Sequence, residues 1–368
     1  MKLKKHCFGN ISNTEKSWET PHSGYHWDGS SRRFFEGWYY RVTLPQWGQS
    51  FAFMYSIDDP IAGKPHSGGA AQVLGQNEDY LYRIFPNVKT FWASDKELAL
   101  CHWKQRHLTL KPQIIQPNIF AETVDQGYQA TATLNQGYLE DPVTKNYCRW
   151  CYEIKPIDGW GNRFYPQEAT AGWLSFLPIF DPGWQVLMAH GLATGYIDWN
   201  GKKYEFSDVP AYSEKNWGHS FPSKWFWINC NSFEQESDLA LTAAGGIRQV
   251  LNWQESVGII GLHYQGKFYQ FTRENSHLSW QIKPWGSWIM QGKNADFVVK
   301  VEGKTKALGT YVRVPTADGL QFLCRDTVQG NLTLELANNE GKILLKANSC
   351  LGGLEIGGSP WDQDWIYN

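Results

Sequence analysis

The residues of this chain best suited to chemistry are carboxylates set among aromatic rings. Glu36 stands in the run Arg32-Arg33-Phe34-Phe35-Glu36-Gly37-Trp38-Tyr39-Tyr40-Arg41-Val42-Thr43-Leu44. The run is aromatic and β-branched, which predicts a strand. Gly37 inside it predicts a bulge, a bend or a close backbone approach. Strand side chains alternate, so Glu36 shares a face with Phe34, Trp38 and Tyr40. If that face is interior, desolvation raises the pKa of the carboxyl and keeps it protonated. If it faces water, Glu36 is a hydrated charge and the opposite rings are core. A second dense stretch is Asp208–Gly218, read as a polar loop, where Glu214 adjoins Lys215, Asn216 and Trp217. Its Glu214 suits an ion pair with Lys215. Asp326, next to Arg325, invites the same reading.

Other chemistries find less support. His22 and His26 have ligand-like spacing, but Gly24 between them argues against a helix and no metallohydrolase glutamate follows. Cys148 and Cys151 are the one close pair among 7 cysteines, so no zinc-ribbon pattern exists. Gly245-Gly246 and Gly357-Gly358 open no helix that would cradle phosphate, and Gly-x-Ser-x-Gly is absent. The expectation is no metal.

The elements that must position these residues are strands. Short period-2 runs recur with turns every ~8–12 residues, which predicts a sandwich or barrel with few short helices. Tyr80 to Phe85, Lys89 to Ala93, His107 to Lys111 and Gln185 to Trp199 are examples, and Asn200-Gly201 predicts a type I′ hairpin. The aromatic strand at Lys224 to Cys230 repeats the pattern of the first. The chain therefore divides into a lead-in at 1–20, a β half at 21–205 and a second at 206–368.

The 368 residues carry 34 Lys plus Arg against 36 Asp plus Glu, a net charge of −2 that offers no field for nucleic acid or an anionic membrane. With 20 Trp, 18 Tyr and 19 Phe, the chain has rings enough for broad pocket walls that also hold a cation. No apolar run approaches the ~18 residues of a membrane span, and no signal-peptide pattern precedes the strands. A reduced, cytoplasmic setting is the expectation.

Thr20-Pro21-His22-Ser23-Gly24-Tyr25-His26-Trp27, Phe34 to Arg41, Phe53-Met54-Tyr55-Ser56, Tyr212 to Gly218, Lys224 to Trp227, Cys324-Arg325-Asp326 and Glu355 to Gly358 together resemble the tocopherol cyclase family. The resemblance runs from about residue 20 to 361. It implies an all-β protein of two tandem lipocalin-like antiparallel β-barrels or sandwich halves, distantly similar to carotenoid 1,2-hydratases. It also implies closure of a chromanol ring on a phytyl-benzoquinol, with no redox change and no cofactor. Plant members carry a plastid transit peptide that this chain lacks, and Pro60 to Gly69 is shorter than in them. The partner implied is a hydrophobic prenylated hydroquinone, met by peripheral, apolar contact at a thylakoid-type membrane.

Such a reaction requires a neutral carboxylic acid to protonate a trisubstituted alkene, and water to be excluded. It also requires ring faces that stabilise the tertiary cation by ~0.5–2 kcal/mol each. Candidate acids are Glu78 and Asp79, adjacent at the end of a small-residue strand, and Glu36. Near Glu78 and Asp79 the family has an acid; the competing reading of the pair is a hydrated turn. Candidate walls and binding residues are Trp38, Tyr40, Tyr128, Glu214, Asn216, Trp217, Trp225 and Trp227. Two rivals remain: a lipocalin-like carrier that returns its quinol unchanged, and a Trp-lined glycan site with paired carboxylates in an open, polar cleft.

Overall fold

The computed structural model describes residues 18–106, 110–163, 165–176, 180–250 and 253–368. Strands dominate, with one short α-helix, Pro117–Thr123, among the described residues. The strand predicted at His107 to Lys111 falls largely on residues 107–109, outside them.

Two antiparallel, lipocalin-like sheets account for the chain. The first runs in the order Tyr80–Phe85, Gly68–Leu74, Gln49–Asp58, Phe35–Leu44, Lys202–Gly218, Gly183–Trp199, Tyr147–Asp158, Leu134–Glu140, Val124–Thr131, Ala99–Gln105, Phe91–Ala93. It curls around one aromatic core, in which Tyr55 and Tyr128 stack at 4.0 Å between centroids. The second sheet is built outward from Lys224–Cys230, flanked by Ala240–Val250 and Ile343–Gly358, around a separate core.

Residues 206–218 complete Lys202–Gly218, a strand at the centre of the first sheet. The sheets change over between Gly218 and Lys224, not at residue 205. The polar loop read from the sequence is absent: Ala211 to Lys215 are buried on both faces of the strand, so Ser213, Glu214 and Lys215 follow one another with no apolar alternation to mark it. The hairpin turn does form where predicted, with positive φ at Asn200 (52°) and Gly201 (86°).

Phe35–Leu44 joins the halves. Its register runs unbroken past Gly37 against both neighbours, so no bulge forms there. One face carries Glu36, Trp38 and Tyr40; the other carries Phe35, Tyr39 and Arg41 and meets the second sheet. Arg41 is buried and donates to the carbonyls of Asn229 (3.1 Å), Val328 (3.2 Å) and Leu351 (2.5 Å). Removing the donor leaves dry carbonyls at a cost of ~1–3 kcal/mol each before relaxation. Arg41→Met is therefore expected to lower unfolding stability by about 2–3 kcal/mol in urea titrations; an unchanged midpoint would mean that the guanidinium does not tie the sheets together.

Candidate active site

An aromatic-lined cavity lies between the two sheets rather than inside either of them. It encloses about 720 Å³ and is lined by His22, His26, Trp184, Glu214, Asn216, Trp217, Trp225, Trp227 and Glu355, among others. Period-2 geometry explains the arrangement. Asn216, Glu214 and Tyr212 lie opposite Gly37, Tyr39 and Arg41 on the face turned to the second sheet. Trp225 and Trp227 lie opposite Gly357 and Glu355 on the outer face of that sheet, while Phe226 and Ile228 fill its core.

Glu214 is the acid this cavity presents. Its Oε2 accepts from Tyr212 Oη (2.6 Å), Trp184 Nε1 (3.0 Å) and Trp227 Nε1 (3.1 Å). Burial pushes its pKa up to about 7; the three donors oppose that shift and the nearby Glu355 adds to it. Desolvation wins, so Glu214 is substantially protonated near neutral pH. Its Oε1 has no hydrogen-bond partner among the described residues. The indoles of Trp184 and Trp227 touch it directly, and those of Trp217 and Trp225 line the same cavity.

Glu355 is the second carboxyl of the lining, bonded by Trp225 Nε1. Its cross-strand partner is Asp326, fully buried with neither carboxyl oxygen hydrogen-bonded. Burial raises both groups, and the charge of Glu355 raises Asp326 further. Asp326 does not pair with Arg325, because adjacent strand residues point apart; Arg325 stacks on Trp285 at 4.3 Å instead.

The same rule undoes the Glu214–Lys215 ion pair. Lys215 points to the other face and meets Glu36, with Nζ to Oε1 at 2.5 Å and both side chains fully buried. Burial alone would raise Glu36, yet the charge of Lys215 and the contact with His26 hold it below the usual carboxylate range. Glu36 is thus interior, the first of its two readings, but ionised, a correction to its reading as a neutral acid.

Glu78 and Asp79 stand elsewhere. Glu78 is half-buried and accepts from Thr327 Oγ1 and from Val328 N (3.1 Å), docking its turn onto the second sheet. Asp79 is exposed. Neither lines the cavity. Trp38, Tyr40 and Tyr128 belong to the filled core of the first sheet. The cavity therefore gathers Glu214, Asn216, Trp217, Trp225 and Trp227, with Glu36 behind its wall, and leaves out Glu78, Asp79, Trp38, Tyr40 and Tyr128. Sequence reasoning missed Glu355 and Trp184 as site residues, since only cross-strand register brings them to Trp227 and Asn216.

A family model described as tocopherol cyclase-like matches residues 32–358. A probable chloroplastic tocopherol cyclase of Oryza sativa subsp. japonica is 40% identical, with 95% of this chain and 81% of that protein covered. The chloroplastic tocopherol cyclase of Zea mays is also 40% identical, over 95% of this chain and 80% of its own. Among solved structures, CghA with Sch210972 has the same overall fold at a TM-score of 0.50 and 8% identity, covering 89% of each chain. An all-β pair of lipocalin-like sheets, the aromatic cavity between them and a match of this length make the chain a member of the tocopherol cyclase-like family.

Proposed function

We propose that this cyclase closes the chromanol ring of a prenylated benzoquinol in the cavity between its sheets, with Glu214 as the proton donor. The observation that carries the assignment is a cavity carboxyl that burial keeps partly protonated near neutral pH, bonded by the indoles of Trp184 and Trp227. Glu214 passes its proton to the less substituted alkene carbon, and a tertiary cation forms on the neighbouring carbon. The faces of the tryptophans stabilise that cation by ~0.5–2 kcal/mol each. The phenolic oxygen, held close, forms the C–O bond and gives up its proton. Atoms balance: the product is an isomer of the substrate, and no electron is gained or lost.

Glu355 gives a second reading of the donor, since it lines the same cavity and burial raises it too. The test is incubation of purified protein with a phytyl-benzoquinol, with Glu214→Gln and Glu355→Gln in parallel. An isomeric product from wild type, lost in the first variant and retained in the second, supports Glu214. Quinol returned unchanged by wild type would make the protein a carrier and end the proposal.

The substrate is a lipid, so its entry route matters. No described helix is long and apolar enough to cross a membrane. Trp173 and Phe176 belong to the cavity lining, yet are 73% and 63% exposed. They form an apolar lip suited to shallow insertion at a bilayer surface. Trp173→Ala with Phe176→Ala is expected to reduce sedimentation with neutral lipid vesicles severalfold, with little dependence on salt. Binding that is instead strongly salt-sensitive would assign docking to charge.

A further inference from the structure

A hydrogen-bonded chain of side chains leads from the cavity to the buried Glu36–Lys215 pair. His22 Nε2 lies 2.9 Å from Ser175 Oγ, and His22 Nδ1 lies 3.1 Å from His26 Nε2. His26 Nδ1 then lies 3.4 Å from Glu36 Oε1, while the His26 backbone N–H donates to Oε2 at 2.8 Å. The rings are clamped: His26 stacks flat on Trp217 at 4.0 Å, and His22 lies between Phe176 (4.4 Å) and Trp217 (4.7 Å). His22 is also held at φ 60°, a left-handed conformation uncommon outside glycine and of the kind retained at functional sites.

Charge sets the direction of this chain. Glu36 is ionised beside Lys215, so it accepts, and His26 Nδ1 carries a hydrogen. His26 Nε2 is then the acceptor for His22 Nδ1–H. That leaves the lone pair of the chain on His22 Nε2, at the end that reaches the cavity, where it accepts from the Ser175 hydroxyl; the Gly172 carbonyl, 2.8 Å from Ser175 Oγ, is the alternative acceptor to which that hydroxyl turns when a phenol takes its place. Burial, with His26 and Lys215 close by, pushes His22 down to about 4, so the ring is neutral at neutral pH.

We propose that His22 is the base that takes the phenolic proton during ring closure, with His26 and Glu36 as positioning residues that fix its tautomer. This rests on the cyclase reading above. As the C–O bond forms, the phenolic O–H breaks and its proton goes to His22 Nε2, while His22 Nδ1–H stays on His26 Nε2. The His22 imidazolium then loses its Nε2 proton to water at the open mouth, and Glu214 is recharged from solvent.

Two substitutions suit the left-handed position: His22→Asn keeps a polar side chain and His22→Gly leaves a ring-sized gap. Both are expected to lower kcat by about 10²-fold with KM nearly unchanged, the scale of a lost general base. Added imidazole should restore much of the activity of His22→Gly and none of that of His22→Asn. If wild type cyclises the quinol and His22→Asn keeps its kcat, the assignment of His22 is overturned. It is overturned equally if folded His22→Gly binds quinol but gains nothing from imidazole. If wild type makes no cyclised product, the cyclase reading falls, and this proposal with it.

Discussion

Glu214→Gln is expected to lower kcat by about 10²–10⁴-fold while quinol binding stays within a few-fold of wild type. Glutamine keeps an oxygen to accept from Tyr212, Trp184 and Trp227, so the cavity wall survives, but it has no acidic proton to give. The same residue sets the pH dependence. A group protonated below about 7 supports turnover on the acid side and loses its proton above, so kcat should fall as pH rises through that value. The sign for stability is parallel. The folded protein holds a proton between the ordinary 4.5 and about 7 that the unfolded chain has released, so stability falls across that window as pH rises. Glu214→Gln should remove this slope. Steady-state kinetics and urea titrations from acid to alkaline pH measure both; unchanged kcat in the variant would exclude Glu214 as the donor.

The second large effect concerns the pair behind the cavity. Lys215→Met leaves Glu36 buried without its cation, a change that typically costs ~3–5 kcal/mol. In wild type the depressed Glu36 contributes stability above the ordinary carboxylate pKa of 4.5, lost as pH falls through its lower folded value. In Lys215→Met burial dominates instead, Glu36 takes up a proton, and the penalty should shrink as the solution is acidified. The double variant Glu36→Gln, Lys215→Met should recover part of the loss, because no buried charge remains. Urea unfolding of the three proteins at two pH values measures this. If the single and double variants are equally destabilised at both, the cost comes from packing and not from an orphaned charge.

Much of this fold could be read from the sequence, because strand period and turn chemistry are local. Asn200-Gly201 specified its hairpin, and the alternation in Phe35–Leu44 correctly put Glu36 with Trp38 and Tyr40. The ionisation of Glu36 depended on Lys215, 179 positions along the chain, and was not legible. Residues 208–218 were misread as a loop for a related reason. A strand covered on one face by the core and on the other by a second sheet carries polar groups on both, each satisfied from another strand. Trp38, Tyr40 and Tyr128 looked like cavity walls because an aromatic residue looks the same in a packed core and beside a cavity. Glu355 was not assigned to the site because its neighbour Trp227 is a cross-strand partner, distant in sequence.

The central claim, that a protein carboxyl protonates the alkene, is tested most directly by turnover in deuterated buffer. The acid exchanges with solvent, so mass spectrometry of the product should find one carbon-bound deuterium, beside the new ether carbon. The label should disappear along with turnover in Glu214→Gln. A cyclised product from wild type with no carbon-bound deuterium would contradict the account.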